Sequence, residues 1–254
     1  MTAERTPMAT VAVELTIGDR RMQANLSVPD RLMHLSELLP IVQRVSNAIV
    51  DAEVATTAAE GRQVSCRMGC GACCRQLVPI TEVEARGIGR LVADMSEPKR
   101  GEIRARFAAA CARLDTAGLS ERLAARYGWT TTEFREAVKD YFRQRIPCPF
   151  LEDESCSIHV DRPVVCREYL VTSPAELCAL DDHQGVEKVD MPVRVSTALA
   201  HLDQPQSGSQ YVRWVPLVLA LEWAEAHPDE PPPRPGAELV AELFNQLRSQ
   251  PAGA

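Results

Sequence analysis

The fold of this chain is decided by one stretch, Cys66-Arg67-Met68-Gly69-Cys70-Gly71-Ala72-Cys73-Cys74. Four of the nine cysteines of the chain fall within it, interleaved with two glycines. Three more cysteines follow, in Cys148-Pro149-Phe150-Leu151, in Cys156-Ser157-Ile158-His159 and in Arg162-Pro163-Val164-Val165-Cys166-Arg167. So dense a set of thiols predicts that these seven side chains meet at one place, and that the rest of the chain is arranged around them.

The cysteines are better explained by bound metal than by disulfides. Nine is an odd number, which fits a disulfide framework poorly. The segment 1–6 lacks the charged-then-apolar pattern of a signal peptide. The most apolar window, Trp214 to Trp223, is too short to cross a bilayer, which needs about 20 residues. We therefore expect a cytoplasmic protein, in which thiols stay reduced and dense sets of them bind metal or act in catalysis.

The spacing within the first group suggests more than one metal ion. Cys66, Cys70 and Cys73 are separated by three and by two residues, so they can face one point in a compact turn. Gly69 and Gly71 permit unusual backbone angles and the approach of N–H groups to sulfur. Cys74 is adjacent to Cys73, and adjacent side chains diverge. The pattern predicts a polynuclear site or two neighbouring sites.

The second group supplies the remaining ligands from a loop region stiffened by prolines. Seven thiolates fit two tetrahedral zinc ions, or an iron–sulfur cluster with thiols to spare. Arginines nearby in sequence, at positions 67, 162 and 167, would help to offset the negative charge. The predicted metal ligands are Cys66, Cys70, Cys73, Cys74, Cys148, Cys156 and Cys166.

Three other residues with metal-binding side chains lie outside the predicted ligand set. Cys178 is a candidate eighth ligand, supported only by its proximity along the chain. His159 stands close to Cys156, but packing or a hydrogen bond is the better explanation for it. Cys111 lies on an apolar helical stripe and is expected to be a buried structural cysteine.

The hydrophobic pattern predicts a mainly α fold, in which helices surround an irregular cysteine-cluster core and a small β-hairpin lies at the N-terminus. The hairpin is expected at 10–17 and 21–28 around Gly18-Asp19, and a further strand at 186–195. Capping boxes at Thr81–Glu84 and Thr130–Glu133 mark two helix starts. The expected helices are 36–59, 82–95, one from Ser96 to Gly118, 120–127, 131–146, a short one from Ser173, 211–226 and 236–248.

These expectations divide the chain into six segments. They are a disordered leader (1–9), the hairpin with a long helix (10–62), the cysteine-cluster metal-binding domain (63–178), a helical extension (179–227), a Pro-rich linker (228–235) and a C-terminal helix (236–249).

Composition excludes some partners. The chain has 254 residues, with 45% hydrophobic and 25% charged side chains, which is ordinary for a globular protein. A net charge of -7 argues against nucleic acid, because phosphate binding needs a concentrated basic surface. The expected partners are metal ions, with no nucleic acid and no membrane, and a protein partner of unknown identity is left open.

The order and spacing of these residues resemble those of the CxxCxxCC family, the zinc- or iron-chelating domain also called YkgJ-like. The likeness covers roughly residues 66–170, through the cysteine run, Cys-Pro-Phe-Leu from 148, Cys156-x-Ile158 and Arg162-Pro163-x-x-Cys166-Arg167-x-Tyr169. His159 departs from it, since an aromatic residue is expected there. The resemblance implies a metal-chelating cysteine cluster in a mostly helical setting. A related pattern occurs in flagellin lysine-N-methylases, which implies an iron–sulfur cluster, for instance of the 4Fe–4S type.

Several functions stay open at this point. The first is a metal-binding protein holding zinc or an iron–sulfur cluster, and the alternative is an iron–sulfur-dependent enzyme related to the methylases. A radical enzyme using S-adenosylmethionine shares the spacing of Cys66, Cys70 and Cys73, but helices flank the motif and position 72 is Ala where an aromatic is usual. An adaptor with the C-terminal helix as a partner-binding handle is also conceivable, although that helix is expected to pack on its own domain.

Overall fold

The computed structural model describes residues 7–17, 20–180, 184–204 and 213–250. Within these ranges the chain is mainly α-helical and its sheets are two-stranded and antiparallel, which confirms the predicted fold class. The α-helices are α1 (Leu35–Ala59), α2 (Glu82–Ala93), α3 (Lys99–Thr116), α4 (Ser120–Ala124), α5 (Thr131–Arg143), α6 (Val164–Glu168), α7 (Val195–Asp203), α8 (Ala220–Ala226) and α9 (Gly236–Arg248). The strands are β1 (Met8–Ile17), β2 (Arg20–Pro29), β3 (Leu32–Met33), β4 (Pro79–Ile80), β5 (Leu151–Glu152), β6 (Ser155–Cys156), β7 (Val215–Pro216) and β8 (Arg234–Pro235). Two 3₁₀ helices lie at Ala175–Ala179 and Leu217–Leu219. In this described part, no helix is long and apolar enough to cross a membrane.

The predicted N-terminal hairpin is present as β1 and β2, paired from Met8 with Pro29 to Ile17 with Arg20. Alternate residues of β1 are buried, because one face packs on α9 and the other faces solvent. That support is needed, since an isolated two-stranded hairpin is marginal in water. β1 begins two residues before the predicted start. Most of the predicted leader (1–6) and the turn at Gly18-Asp19 lie outside the described residues.

Helix α1 buries the face that its sequence predicts, with Leu38, Val42, Val45 and Ile49 inside. It ends at Ala59, where Gly61 adopts a φ of 78° and leads the chain towards the cysteines.

Helix α1 begins at Leu35, one residue before its predicted start at Ser36. His34 is its N-cap, and the His34 backbone N–H donates to the Glu37 carboxylate at 2.9 Å. The Ser36 hydroxyl instead donates to Glu230 at 2.7 Å. Glu230 comes from a distant part of the chain, so a local reading could not detect it.

Both predicted capping boxes are present. Thr81 accepts a hydrogen bond from the Glu84 N–H at 3.2 Å and starts α2, and Thr130 accepts one from the Glu133 N–H at 3.2 Å and starts α5. The helix predicted from Ser96 begins at Lys99 as α3, with Pro98 at its N-cap position.

The single helix predicted at 211–226 is wrong in its first half. β7 pairs with β4 there, and α8 begins only at Ala220 after a 3₁₀ turn. Pro216 explains the break, because it lacks the N–H that an interior helical residue donates. Tyr211 lies outside the described residues.

The strand predicted at 186–195 is reduced to an isolated bridge between Val171 and Lys188, and Val195 begins α7. The buried Glu168 carboxylate accepts hydrogen bonds from the N–H groups of Val195 and Ser196, at 2.5 and 3.1 Å. This helix start depends on a side chain far away in sequence, which explains why the local pattern missed it.

The Pro-rich segment and the C-terminal helix are attached to the rest of the molecule. β8 pairs with β3, and the Pro231 carbonyl lies 3.1 Å from His34 Nδ1. α9 buries Leu239, Leu243 and Phe244 against β1 and α7. The expectation that α9 packs on its own domain is confirmed.

The cysteines lie where two hydrophobic cores meet. The larger core joins the hairpin to α1, α7 and α9, and Cys66 packs against its edge. A second core lies among α2, α3 and α8, and Cys148 and Cys156 pack against that one. The fold therefore places the two cysteine groups at the border between these two cores.

Candidate metal centre

Six of the seven predicted ligands line one cavity of about 190 Å³. Both groups contribute, and the six are Cys70, Cys73, Cys74, Cys148, Cys156 and Cys166. Cys66 lies on the wall of an adjoining groove of about 950 Å³, which it shares with Cys70. All seven are half-buried free thiols. The structure thus places residues from distant parts of the chain around one space.

Backbone turns hold the first group. The Cys70 N–H donates to the Arg67 carbonyl at 3.1 Å, and the Cys74 N–H donates to the Gly71 carbonyl at 3.0 Å. Gly69 sits between them with a φ of 88°, a conformation that glycine adopts at little cost. Consecutive tight turns therefore bring these thiols close together without a helix or a strand.

Gly71 is required for a different reason, since it lets the two groups touch. A Cβ at this position would lie 2.5 Å from Leu151 Cδ1 and 2.8 Å from the Glu154 carbonyl oxygen. Beside it, Arg75 NH1 donates to the Glu154 carboxylate at 3.0 Å. The loop around Cys70–Cys74 is thus fitted directly against the β5–β6 turn.

The second group uses the same kind of turn. The Leu151 N–H donates to the Cys148 carbonyl at 2.9 Å, and the His159 N–H donates to the Cys156 carbonyl at 3.2 Å. A further bond joins the groups, because the Cys148 N–H donates to the Cys74 carbonyl at 2.7 Å.

Backbone N–H groups partly offset the effect of burial on three of the thiols. Burial raises the pKa of Cys66, Cys148 and Cys156, while the N–H groups of Val171, Phe150 and Ile158, respectively, act to lower it. A hydrogen bond to the charged form favours that form, so these contacts favour thiolates. Phe150 and Ile158 each lie two residues after the cysteine that they affect. The N–H groups near these sulfurs therefore do not come from Gly69 and Gly71.

Burial opposes ionisation of the thiols in the absence of a cation. Burial raises the pKa of Cys148 to about 12 and that of Cys166 well above its usual range. A hydrogen bond with Cys74, and then burial, raise the pKa of Cys73. Each of these thiols is also penalised by the negative charge of its neighbours. A metal ion removes both penalties, because it supplies the opposite charge at the sulfurs.

Arg162 lines the cavity, as Arg67 does. Burial raises the pKa of Cys66 and of Cys156, and the positive charge of Arg162 partly opposes that rise. Its buried Nε has no hydrogen-bond partner among the described residues. The Arg162 NH1 group contacts His159 Nε2. His159 also lines the cavity, but its imidazole is already paired with this arginine.

Arg167, in contrast, has a structural role. Its guanidinium donates to Asn47 of α1 and to the Arg162 carbonyl, both at 3.0 Å, and also to the Val160 carbonyl. It fixes the loop that carries Arg162 to α1.

The cavity suits a soft metal by the chemistry of its donors. Within the described ranges, no three Cys, His, Asp or Glu side chains are already arranged as a coordination shell. Six thiols nevertheless face one space whose other walls are largely apolar, and in the described part of the chain no carboxylate lines it. Thiolates select zinc, copper(I) and iron–sulfur clusters, whereas magnesium and calcium need oxygen ligands. The apolar part of the wall includes Leu77, Val78, Phe150, Ile158, Val165 and Leu217.

The remaining two cysteines differ in position. Cys111 lies on α3 with its sulfur 3.7 Å from the Val218 carbonyl, and it is half-buried, which corrects the expectation of full burial. Cys178 is 3% exposed, and its carbonyl lies 3.4 Å from the Gln76 side-chain amide. Gln76 also lines the cavity. Nothing in its sequence context indicated this, because its only signal is proximity to Cys74.

Residues 65–188 match the model of a protein family, CxxCxxCC, described as "Putative zinc- or iron-chelating domain". This segment, just under half of the chain, is similar to the CxxCxxCC domain. The match includes all seven predicted ligands and extends past Cys178. No curated protein and no solved structure matches the chain significantly. The CxxCxxCC domain supports binding of zinc or iron by cysteines.

Proposed function

We propose that this chain is a metal-binding protein whose CxxCxxCC domain holds a polynuclear centre, and that iron–sulfur is favoured over a single zinc ion. The thiolates of both cysteine groups bind it together. They are Cys66, Cys70, Cys73, Cys74, Cys148, Cys156 and Cys166.

The observation that carries this proposal is the cavity walled by six thiols. One tetrahedral zinc ion takes four ligands, so a single zinc would leave two of these six cysteines without metal. A polynuclear centre can use all six.

The protein groups have distinct roles around that centre. N–H donors from Val171, Phe150 and Ile158 stabilise thiolate charge, and Arg162 adds a positive charge. The apolar walls exclude water, which strengthens these electrostatic interactions. When bound, an iron–sulfur centre supplies one-electron redox chemistry, tuned by hydrogen bonds to sulfur. Because dense free thiols persist in a reducing compartment, we place the protein in the cytoplasm.

The test is the composition of full-length protein purified without oxygen from cells supplied with iron and zinc. We expect more than one iron per chain, acid-labile sulfide, and visible absorption that bleaches on reduction. Two zinc ions per chain without sulfide would retain metal binding and reject the iron–sulfur assignment. Protein that binds neither metal, even after reconstitution, would reject the function.

The groove beside the cavity favours a second candidate, an iron–sulfur-dependent enzyme related to flagellin lysine-N-methylases. The groove has the volume of a small-molecule site, and two of the predicted ligands, Cys66 and Cys70, lie on its wall. A molecule in the groove would therefore lie against the centre. Polar side chains of Gln63, Thr172 and Glu176 line other parts of it.

This candidate is tested by calorimetric titration of the metal-loaded protein with S-adenosylmethionine. An enzyme of this kind should bind it, and Gln63→Trp, which narrows the groove, should weaken the binding. If the metal-loaded protein gives no binding heat, the comparison with the methylases loses its basis.

A further inference from the structure

Two buried carboxylates lie beside α6, the short helix that carries Cys166. Glu84 is 5% exposed and Glu168 is 2% exposed. A carboxylate is costly to bury unless hydrogen bonds satisfy its oxygens. Neither side chain lines the cavity that the thiols share. The role of both residues therefore follows from the hydrogen bonds that they accept.

Glu84 caps two helices at once. Its Oε1 accepts a hydrogen bond at 2.8 Å from the N–H of Val164, the first residue of α6. Its Oε2 accepts hydrogen bonds from the N–H and from the hydroxyl of Thr81, each at 2.9 Å, at the start of α2. Because both oxygens face donors, an amide, which has a single acceptor oxygen, cannot replace this carboxylate.

Glu168 holds the other end of α6, of which it is the last residue. Its Oε1 accepts from the N–H groups of Val195 and Ser196, at 2.5 and 3.1 Å, and its Oε2 accepts from the Ser196 hydroxyl at 2.5 Å. A third buried carboxylate, Asp203 at the end of α7, accepts from the Val83 N–H of α2 at 2.9 Å. Side chains thus link α2 to α6, α6 to α7, and α7 back to α2.

Helix α6 is too short to hold its own position. It has five residues, Val164–Glu168, and isolated helices shorter than about 12–15 residues are marginal in water. The Cys166 N–H donates to the Pro163 carbonyl at 3.1 Å, which closes a single turn. The direction of the Cys166 side chain therefore depends on how the two ends of α6 are fixed.

The other two cysteines of the second group are held differently. Cys156 belongs to β6, which pairs with β5. The Cys148 N–H donates directly to the Cys74 carbonyl at 2.7 Å. Of these three cysteines, Cys166 is the one on a helix whose ends are bonded to buried carboxylates.

We propose that Glu84 and Glu168 are positioning residues for the metal centre, which hold α6 at both ends so that the Cys166 thiol faces the cavity. They act through α6 and do not themselves bind the metal. The inference rests on the proposed function, since it requires that Cys166 binds metal.

The first experiment measures how fast metal is released to a chelator from full-length protein. The protein is loaded with zinc, or with iron and sulfide if zinc does not bind. In Glu84→Gln the amide cannot accept from both Thr81 and Val164, so the start of α6 is freed. Loss of a group that orients a metal ligand typically weakens metal binding about 10–100-fold, and we expect release to be faster by a similar factor.

Glu133→Gln is the matched control. Glu133 forms the same capping box with Thr130, whose N–H and hydroxyl both donate to it at 2.7 Å, but it lies on α5, which carries no cysteine. This variant should release metal at the wild-type rate. Release at the wild-type rate from folded Glu84→Gln would overturn the inference and leave the proposed function standing. Wild-type protein that takes up neither zinc nor iron would overturn both.

Ser196→Ala tests the other end of α6, and it decides the matter if Glu84→Gln does not fold. Ser196 is half-buried, and the substitution removes one donor to Glu168 while the two backbone donors remain. Release should be faster than from wild type, by a smaller factor than in Glu84→Gln. A wild-type rate in Ser196→Ala would overturn the role of Glu168.

Alkylation of individual cysteines separates positioning from a general loss of stability. Metal-loaded wild type and Glu84→Gln are alkylated in excess metal, and Cys166, Cys70 and Cys111 are followed by mass spectrometry. Glu84→Gln should speed alkylation of Cys166 more than that of Cys70 or Cys111. An equal increase at all three cysteines would show that Glu84 only stabilises the fold, and would overturn the inference.

Discussion

In the first block, formed by the hairpin, α1, α7 and α9, aliphatic side chains close the interior. In the second, the cysteine block made of the loops that carry the two cysteine groups, the side chains enclose a cavity instead. Leu38, Val42 and Leu243 of the first block are fully buried. The thiols of the second block are half-buried and held by turns, which contribute few apolar contacts. The difference indicates that the first block is stabilised by its own packing, while the second depends on what binds between its thiols.

Removal of the metal should have the largest effect, and only on the cysteine block. With the ligand sulfurs no longer held, we expect faster hydrogen exchange at the amides of Cys70, Cys74 and Cys148, by more than tenfold. Structural zinc contributes on the order of 10 kcal/mol to folding in small domains, so a clear fall in melting temperature should accompany it. Amides in the middle of α1 and α9 serve as the internal control. Equal loss of protection in both blocks would contradict the comparison.

A substitution in the first block should lower the stability of the fold and leave metal binding unchanged. Leu243→Ala removes a fully buried side chain of α9, so it should lower the free energy of unfolding by about 2–5 kcal/mol. Chemical denaturation measures this, and metal per folded chain should equal that of wild type. Loss of metal from folded Leu243→Ala protein would show that the blocks are not independent.

The contact between the two cysteine groups can be disturbed through Gly71. In Gly71→Ala the new methyl group collides with Leu151 and with the Glu154 backbone, which should cost about 1–3 kcal/mol and speed metal release. Gly101→Ala is the matched control. Gly101 lies in α3 with only the flexible Glu97 side chain near it, so alanine there should be neutral or stabilising. Metal release from Gly71→Ala at the wild-type rate would argue against direct contact of the groups.

The smallest effect is expected at the junction of α7 with α2. Asp203 accepts a hydrogen bond from the Val83 N–H at 2.9 Å, and burial raises its pKa to about 6. The folded protein therefore binds this proton more tightly than the unfolded chain, whose aspartate titrates near 3.8. The contribution to stability is full below about pH 4 and is lost as the pH rises through about 6.

Asp203→Asn keeps an acceptor oxygen and removes the charge. It should stabilise the protein at pH 7 by on the order of 1 kcal/mol and leave it unchanged at pH 4, as measured by denaturation at both values. A stabilisation that is the same at both pH values would rule out this origin.

Elements with local signals were predictable from the sequence. Thr81 and Thr130 cap helices through glutamates three residues later, and the apolar stripe of α1 repeats within one helix. The cysteine groups were recognisable because so many thiols fall in so few residues. Features that depend on distant partners could not be predicted from the sequence. Examples are the cap that Glu168 provides for α7 and the pairing of β7 with β4.

The arrangement of residues around the cavity could not be predicted from local sequence either. Spacing suggested that the two groups meet, but it did not show that Gly71 serves close approach rather than a special backbone angle. It left Cys178 with proximity along the chain as its only support. In the fold, the Gln76 side-chain amide lies 3.4 Å from both the Cys178 carbonyl and the Tyr169 hydroxyl.

The most direct test of the central claim is the metal content of the double variant Cys148→Ser/Cys166→Ser, measured by elemental analysis beside wild type and Cys111→Ser. Both substituted thiols line the shared cavity, so a centre held by both groups should be disrupted. We predict that the double variant loses most of its metal, while Cys111→Ser retains the wild-type amount. Full retention in the double variant would contradict the account, because the first group would then hold its metal without the second.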